Sequence, residues 1–143
     1  FLVHFLPFSL ALSLSCSLCT MKRILIIDDD PGICQVVQVA FKVVAQWEVL
    51  VASSSQEGIA LAEAEQPDAI LLDVMMPEVD GFSTVEKMQE NPKIKPIPII
   101  LLTAKAQAKD RERFAQLPIA GVITKPFKAP TLVKQVRDLL QWD

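Results

Sequence analysis

Ala69-Ile70-Leu71-Leu72-Asp73-Val74-Met75-Met76-Pro77-Glu78-Val79-Asp80-Gly81 decides how the rest of the chain is read. An unbroken apolar run enters Asp73, the pattern of a strand buried on both faces in a parallel sheet covered by helices. Pro77 and an Asp-Gly turn signal follow at once. In an open α/β sheet, ligands gather outside the carboxyl ends of the strands. Asp73 is therefore either a solvated loop acid or one member of a site, and its neighbours in the fold decide which.

Working outward, four more segments of strand length surround this one. Lys22 to Ile27 runs into Asp28-Asp29-Asp30, Trp47 to Ala52 is a short second strand, Ile99 to Leu102 ends at Thr103-Ala104, and Ala120 to Thr124 ends at Lys125-Pro126-Phe127. Helical patterns separate them. Asp30 is a plausible N-cap with Pro31 at the first helical position. Ile33, Val36, Val37, Ala40, Phe41 and Val44 then recur at helical spacing as one apolar face, with Cys34 beside it as a small helix residue. Ser54 to Glu57 has capping-box spacing and opens a helix to about Glu65. Phe82, Val85 and Met88 mark a third helix, Ala106 to Leu117 a polar fourth one carrying Lys109 to Arg113, and Leu132, Val133, Val136, Leu139 and Leu140 the stripe of the last. The charged run reads as a solvated face.

Strands alternating with helices predict a doubly wound α/β fold with a five-stranded parallel sheet and helices on both faces. The order 2-1-3-4-5 suits five strands. It brings the ends of strands one, three, four and five together, and with them Asp28 and Asp29, Asp73, Thr103 and Lys125.

The bulk composition narrows the chemistry. The chain has 143 residues, 51% of them hydrophobic and 22% charged, which suits one globular domain and excludes disorder. A net charge of −3 without a basic block offers no nucleic-acid footprint. Cys16, Cys19 and Cys34 form neither a disulfide framework nor a zinc site, and a single histidine, His4, rules out histidine-based triads in the folded body. Residues 1 to 20 carry no Lys, Arg, Asp or Glu and do not begin with Met. They lack a basic n-region and a clear cleavage site, and Pro7 and several serines interrupt a barely sufficient span. The expectation is a start-site artefact, with the domain occupying 21–143; a signal or membrane anchor is the alternative. No second domain is expected after the last helix.

Three converging carboxylates repel one another and favour protonation or a bound cation. Oxygen ligands without Cys or His select Mg²⁺ or a similar ion. A carboxylate also serves as nucleophile toward phosphorus, in a reaction that needs charge neutralisation and positioning more than proton shuttling. Lys125 is suited to pair with one phosphoryl oxygen and the Thr103 hydroxyl to bond another. Singly, each residue reads as a cap or a surface charge; jointly, at four strand ends, they read as a site.

Asp28-Asp29, Asp73 followed by Met76-Pro77 and Asp80-Gly81, Thr103-Ala104 and Lys125-Pro126-Phe127 together resemble the receiver domains of two-component response regulators, of the chemotaxis-type, stand-alone kind. The resemblance covers Lys22 to Trp142. It implies that Asp73 is the phosphoacceptor, supplied by a histidine kinase or histidine phosphotransfer protein. It further implies that Asp29 binds Mg²⁺ directly, Asp28 mainly through water, and the Met75 backbone carbonyl as a further ligand. Thr103 and Lys125 would contact the phosphoryl group, and the bond before Pro126 would be cis. The implied protein is a cytoplasmic switch that phosphorylates itself without being a turnover enzyme, acts on a downstream effector protein, and needs no nucleic acid or membrane.

One departure stands out. Many receivers carry Tyr or Phe three positions before the lysine; here the residue is Val122, and the chain has no Tyr. Output is then expected through the loop after Thr103 and the charged helix from Lys109 to Arg113. An aspartyl-nucleophile phosphatase is disfavoured, because its usual second Asp two positions on is Met75 here. A binding module of the same fold that works without phosphorylation is the other alternative.

Overall fold

The structure is a computed structural model that describes residues 21–76, 80–104 and 108–142, with the side chains of 108–110 excepted. Strands β1 (Arg23–Ile27), β2 (Glu48–Ala52), β3 (Ala69–Asp73), β4 (Ile99–Thr103) and β5 (Gly121–Thr124) alternate with helices. These helices are α1 (Pro31–Ala40), α2 (Ser55–Glu65), α3 (Gly81–Glu90), α4 (Ala108–Ala115) and α5 (Ala129–Leu140). The sheet is parallel throughout, in the order β2-β1-β3-β4-β5, as expected. The N-terminal extension, residues 1–20, lies outside the described residues, as does the stretch from Pro77 to Val79 within the opening motif.

Side chains alternate faithfully across the sheet, as the pleat requires. Ile24, Ile26, Leu71, Ile100, Leu102 and Ile123 pack on one face with α1 and α5. Leu25, Ile27, Ile70, Leu72, Ile99 and Leu101 pack on the other with α2, α3 and Phe114 of α4. Both faces being covered explains why the strands read as continuous apolar runs rather than alternating ones.

The first helix differs from the expected face. Its buried residues are Cys34, Val37 and Ala40, whereas Val36 and Val44 are exposed. A π-helical turn, Phe41–Ala45, follows α1 and widens the spiral. Cys34, Val37, Ala40 and Phe41 form the buried face; Val36 is off that face within the regular helix, and Val44 lies in the π-turn. Phe41 is fully buried, stacked on Trp47 at 5.5 Å, and Trp142 closes edge-on against Trp47 at 5.3 Å.

Caps fix where helices begin. Asp30 accepts from the N–H of Gly32 at 2.8 Å, and Ser54 from that of Glu57 at 3.2 Å. The Glu57 carboxylate reaches back one residue further than a capping box requires, to Ser53 N–H at 3.3 Å. Asp80 caps α3 through the N–H of Phe82 at 3.2 Å. The glycine beside it serves packing: a Cβ on Gly81 would stand 2.7 Å from the Val74 Cα. At their far ends the π-turn, α2 and α5 close on Gln46, Gln66 and Gln141, all left-handed, with φ of 58°, 50° and 55°.

Candidate functional site

Strand register sets the site. Ile27 is level with Leu72 and Asp73 with Leu102, so Asp28 emerges beside Asp73. Thr103 is level with Thr124, and the Lys125 N–H donates to the Thr103 carbonyl at 2.7 Å. Four neighbouring strands thus present their polar ends along one edge.

Asp28 is buried yet fully engaged. Its N–H donates to the Ala52 carbonyl at 3.0 Å, Oδ1 accepts from the Asp30 N–H at 2.9 Å, and Oδ2 accepts from Lys125 Nζ at 2.8 Å. The same ammonium lies 3.4 Å from Asp73 Oδ1, which also accepts from the Met75 N–H at 3.1 Å. Lys125 therefore bridges the two buried acids. Asp29 is exposed, but one of its carboxylate oxygens shares a 4.8 Å cluster with one each from Asp28 and Asp73. Met75 occupies the exposed turn after β3, Thr103 is buried at the end of β4, and the Lys125–Pro126 peptide is cis.

Electrostatics follow from this crowding. Burial pushes the Asp73 carboxyl above its ordinary value; the Met75 N–H and the Lys125 ammonium oppose that push, and the Asp28 carboxylate adds to it. Burial pulls Lys125 down, but its hydrogen bond to Asp28 and the charges of Asp28 and Asp73 outweigh it, so its ammonium is held above the ordinary lysine range. Three carboxylates and one ammonium leave two formal negative charges at the cluster. A small divalent cation fits that excess, and the donors are all oxygen.

Every residue expected at the site lies along this edge. Sequence spacing did not reveal their supports. The Cys34 thiol, expected to be only a small helix residue, donates to the Asp28 carbonyl at 3.4 Å, and burial, with the Asp28 charge second, pushes it up to about 11. Ser55 of α2 and Thr84 of α3 share a buried hydrogen bond of 2.7 Å, and Arg113 of α4 pairs with Asp80 at 3.3 Å. Partners 29 and 33 residues apart leave no periodic signal.

The response regulator receiver domain model matches residues 24–137. The chain belongs to this family. The receiver is 38% identical over 121 residues to the DNA-binding dual master transcriptional regulator RpaA of Synechocystis sp., an alignment covering 85% of this chain and 50% of that protein. It is 33% identical over 125 residues to protein PilH of Pseudomonas aeruginosa, covering 84% of this chain and 98% of PilH. The chain thus spans about half the length of RpaA and nearly all of PilH. The chemotaxis response regulator CheY4 of Vibrio cholerae superposes with a TM-score of 0.77 at 29% identity, over 83% of this chain and 98% of that one. The receiver domain of the sensor histidine kinase PA1611 of Pseudomonas aeruginosa, solved with a magnesium ion coordinated in its active-site cleft, superposes with a TM-score of 0.72 at 29% identity, covering 85% and 97%.

Membership makes this receiver a signalling switch of phosphorylation-dependent two-component systems, a family that binds Mg²⁺ at its acidic site and works between kinases or phosphotransfer proteins and effectors. Among the described residues no helix is long and apolar enough to cross a membrane.

Proposed function

We propose that Asp73 is the phosphoacceptor of a cytoplasmic, Mg²⁺-dependent switch, charged by the phosphohistidine of a histidine kinase or phosphotransfer protein and read by a downstream effector protein. An Asp73 carboxylate oxygen forms the new O–P bond while the P–N bond to the donor imidazole breaks, and the imidazole nitrogen keeps the electron pair. Asp28, Asp29, Asp73 and the Met75 carbonyl are the groups suited to hold Mg²⁺, which when bound neutralises phosphoryl oxygens. Lys125 is positioned to exchange Asp73 for a phosphoryl oxygen, and the Thr103 hydroxyl to bond a second. The domain runs over 21–143.

The observation that carries this reading is the Lys125 ammonium, 2.8 Å from Asp28 and 3.4 Å from Asp73. A cation already shared between nucleophile and metal-ligand candidates has little to reorganise when charge arrives.

Intact-mass measurement after incubation with phosphoramidate tests the proposal. One labile, Mg²⁺-dependent phosphoryl group that Asp73→Asn abolishes is the expected result. No modification of the folded protein under any condition would replace it with the phosphorylation-independent binding module.

A further inference from the structure

Strand β2 forms one edge of the sheet, and little in its sequence guards that edge. Sheet edges are commonly blunted by Lys, Pro or a bulge. Glu48-Val49-Leu50-Val51-Ala52 contains neither Lys nor Pro, and its register with β1 runs unbroken from Arg23–Glu48 to Ile27–Ala52. Glu48 is its one charge, held by Arg23 at 3.4 Å. The Glu48 N–H donates to the Lys22 carbonyl at 2.9 Å, and the Ala52 carbonyl accepts from the Asp28 N–H at 3.0 Å. Main-chain groups alternate from side to side along a strand. Glu48, Leu50 and Ala52 therefore direct theirs at β1, while Val49 and Val51 turn theirs outward.

A groove accompanies this edge. Val49 and Val51 pack in the cluster that α1 covers, and each borders a cavity between strand and helix. The cavity beside Val49, about 600 Å³, is also lined by Gln38, Lys42, Trp47 and Glu48. The one beside Val51, about 430 Å³, is also lined by Asp29, Cys34, Gln38 and Ser53. Gln38 borders both, so the two are neighbours along a single groove. Its charge is uneven. Lys42 stands at the Val49 end, where Glu48 is already matched by Arg23, and Asp29 stands at the Val51 end.

We infer that a second copy of this chain pairs with β2, antiparallel about a two-fold axis at Leu50. Val49 of one protomer then stands opposite Val51 of its partner, and each such pair exchanges both of its main-chain hydrogen bonds. The same operation sets the Lys42 end of one groove level with the Asp29 end of the other, so opposite charges meet twice across the seam. Two copies side by side in parallel would instead bring like ends together. A five-residue seam, about 17 Å long, falls short of the roughly 800 Å² a side of a stable interface. The dimer is therefore weak and forms with concentration.

Sedimentation of the full chain, with Lys42→Glu and Asp29→Lys as variants, tests the inference. Both positions are exposed, so neither substitution disturbs packing. The wild type is expected to rise from one chain toward two in weight-average mass between about 20 µM and about 1 mM. Each variant alone should stay at one chain, because like charges then meet at both ends of the seam; mixed in equal amounts, the two should associate as the wild type does. Amide exchange at Val49 and Val51 should slow about threefold at the higher concentration, with Leu50, already bonded to β1, unchanged. A wild type that stays at one chain would overturn the dimer. So would an association that either variant retains alone, a mixture that fails to associate, or exchange at Val49 and Val51 that ignores concentration.

Discussion

The two flanks of the acidic edge are built to different standards. On the α1/α5 flank, Phe41, Trp47 and Trp142 interlock, and Phe41, Leu132 and Val136 are wholly shut from solvent. On the α4 flank, Phe114 is the one buried residue among the helix side chains described, beside a cavity of about 450 Å³, with the Arg113–Phe82 pair at the surface. The tight flank carries α1, capped by Asp30 beside Asp28, and α5, which begins four residues after Lys125. Parts that must hold charges within 3.4 Å of each other need a rigid frame. A part that reports a change needs two arrangements of similar free energy. On the proposed reading, the domain divides these two needs between its flanks.

Truncation is the sharpest way to break this contrast. Phe41→Ala should cost about 4 kcal/mol in urea unfolding, as befits a large side chain removed from a close-packed core. Removing the bridging cation comes next: Lys125→Met leaves Asp28 and Asp73 buried without their partner and should cost about 3 kcal/mol, partly recovered in millimolar Mg²⁺. Phe114→Ala should cost only about 2 kcal/mol, because the ring already borders a cavity. If Phe114→Ala proved as costly as Phe41→Ala, the flanks would not differ as described.

The smallest expected effect concerns Cys34, whose thiol is pushed up to about 11 from 9.0. An acid whose folded pKa is raised loses stability as pH climbs from the unfolded value to the folded one. Stability should therefore decline between about pH 9 and 11, and Cys34→Ala should flatten that decline in melts across the range. At pH 8, peptide mapping after iodoacetamide should find Cys34 unmodified in folded protein.

Strand positions and sheet order were legible because each strand is buried on both faces and reads as a plain apolar run, bounded by Pro, Gly or Asp. The site residues were legible for a related reason: strand ends are easily located, and parallel topology makes their positions in space follow from their positions in sequence. What escaped notice lies on helices, where phase matters. The buried face of α1 is phased on Cys34 and Val37, which leaves Val36 outside it, and Val44 falls in the π-turn. The Arg113–Phe82 pair joins residues from separate elements, and a run of charges that reads as a solvated face gave no hint that one of them stacks on a ring.

Three helical segments end on left-handed glutamines, at Gln46, Gln66 and Gln141, where glycine would adopt the same turn without a side-chain clash. Each of these helical runs sets out from the acidic side of the sheet, so all three left-handed ends lie at the opposite rim. Conformational cost and chemistry are thereby kept a domain's width apart. For protein engineering this is a reserve: substitutions at the far rim can raise the tolerance of the chain to mutation while the signalling edge stays as it is. For natural variation it means that the site can drift toward new partners with stability still in hand at three remote positions.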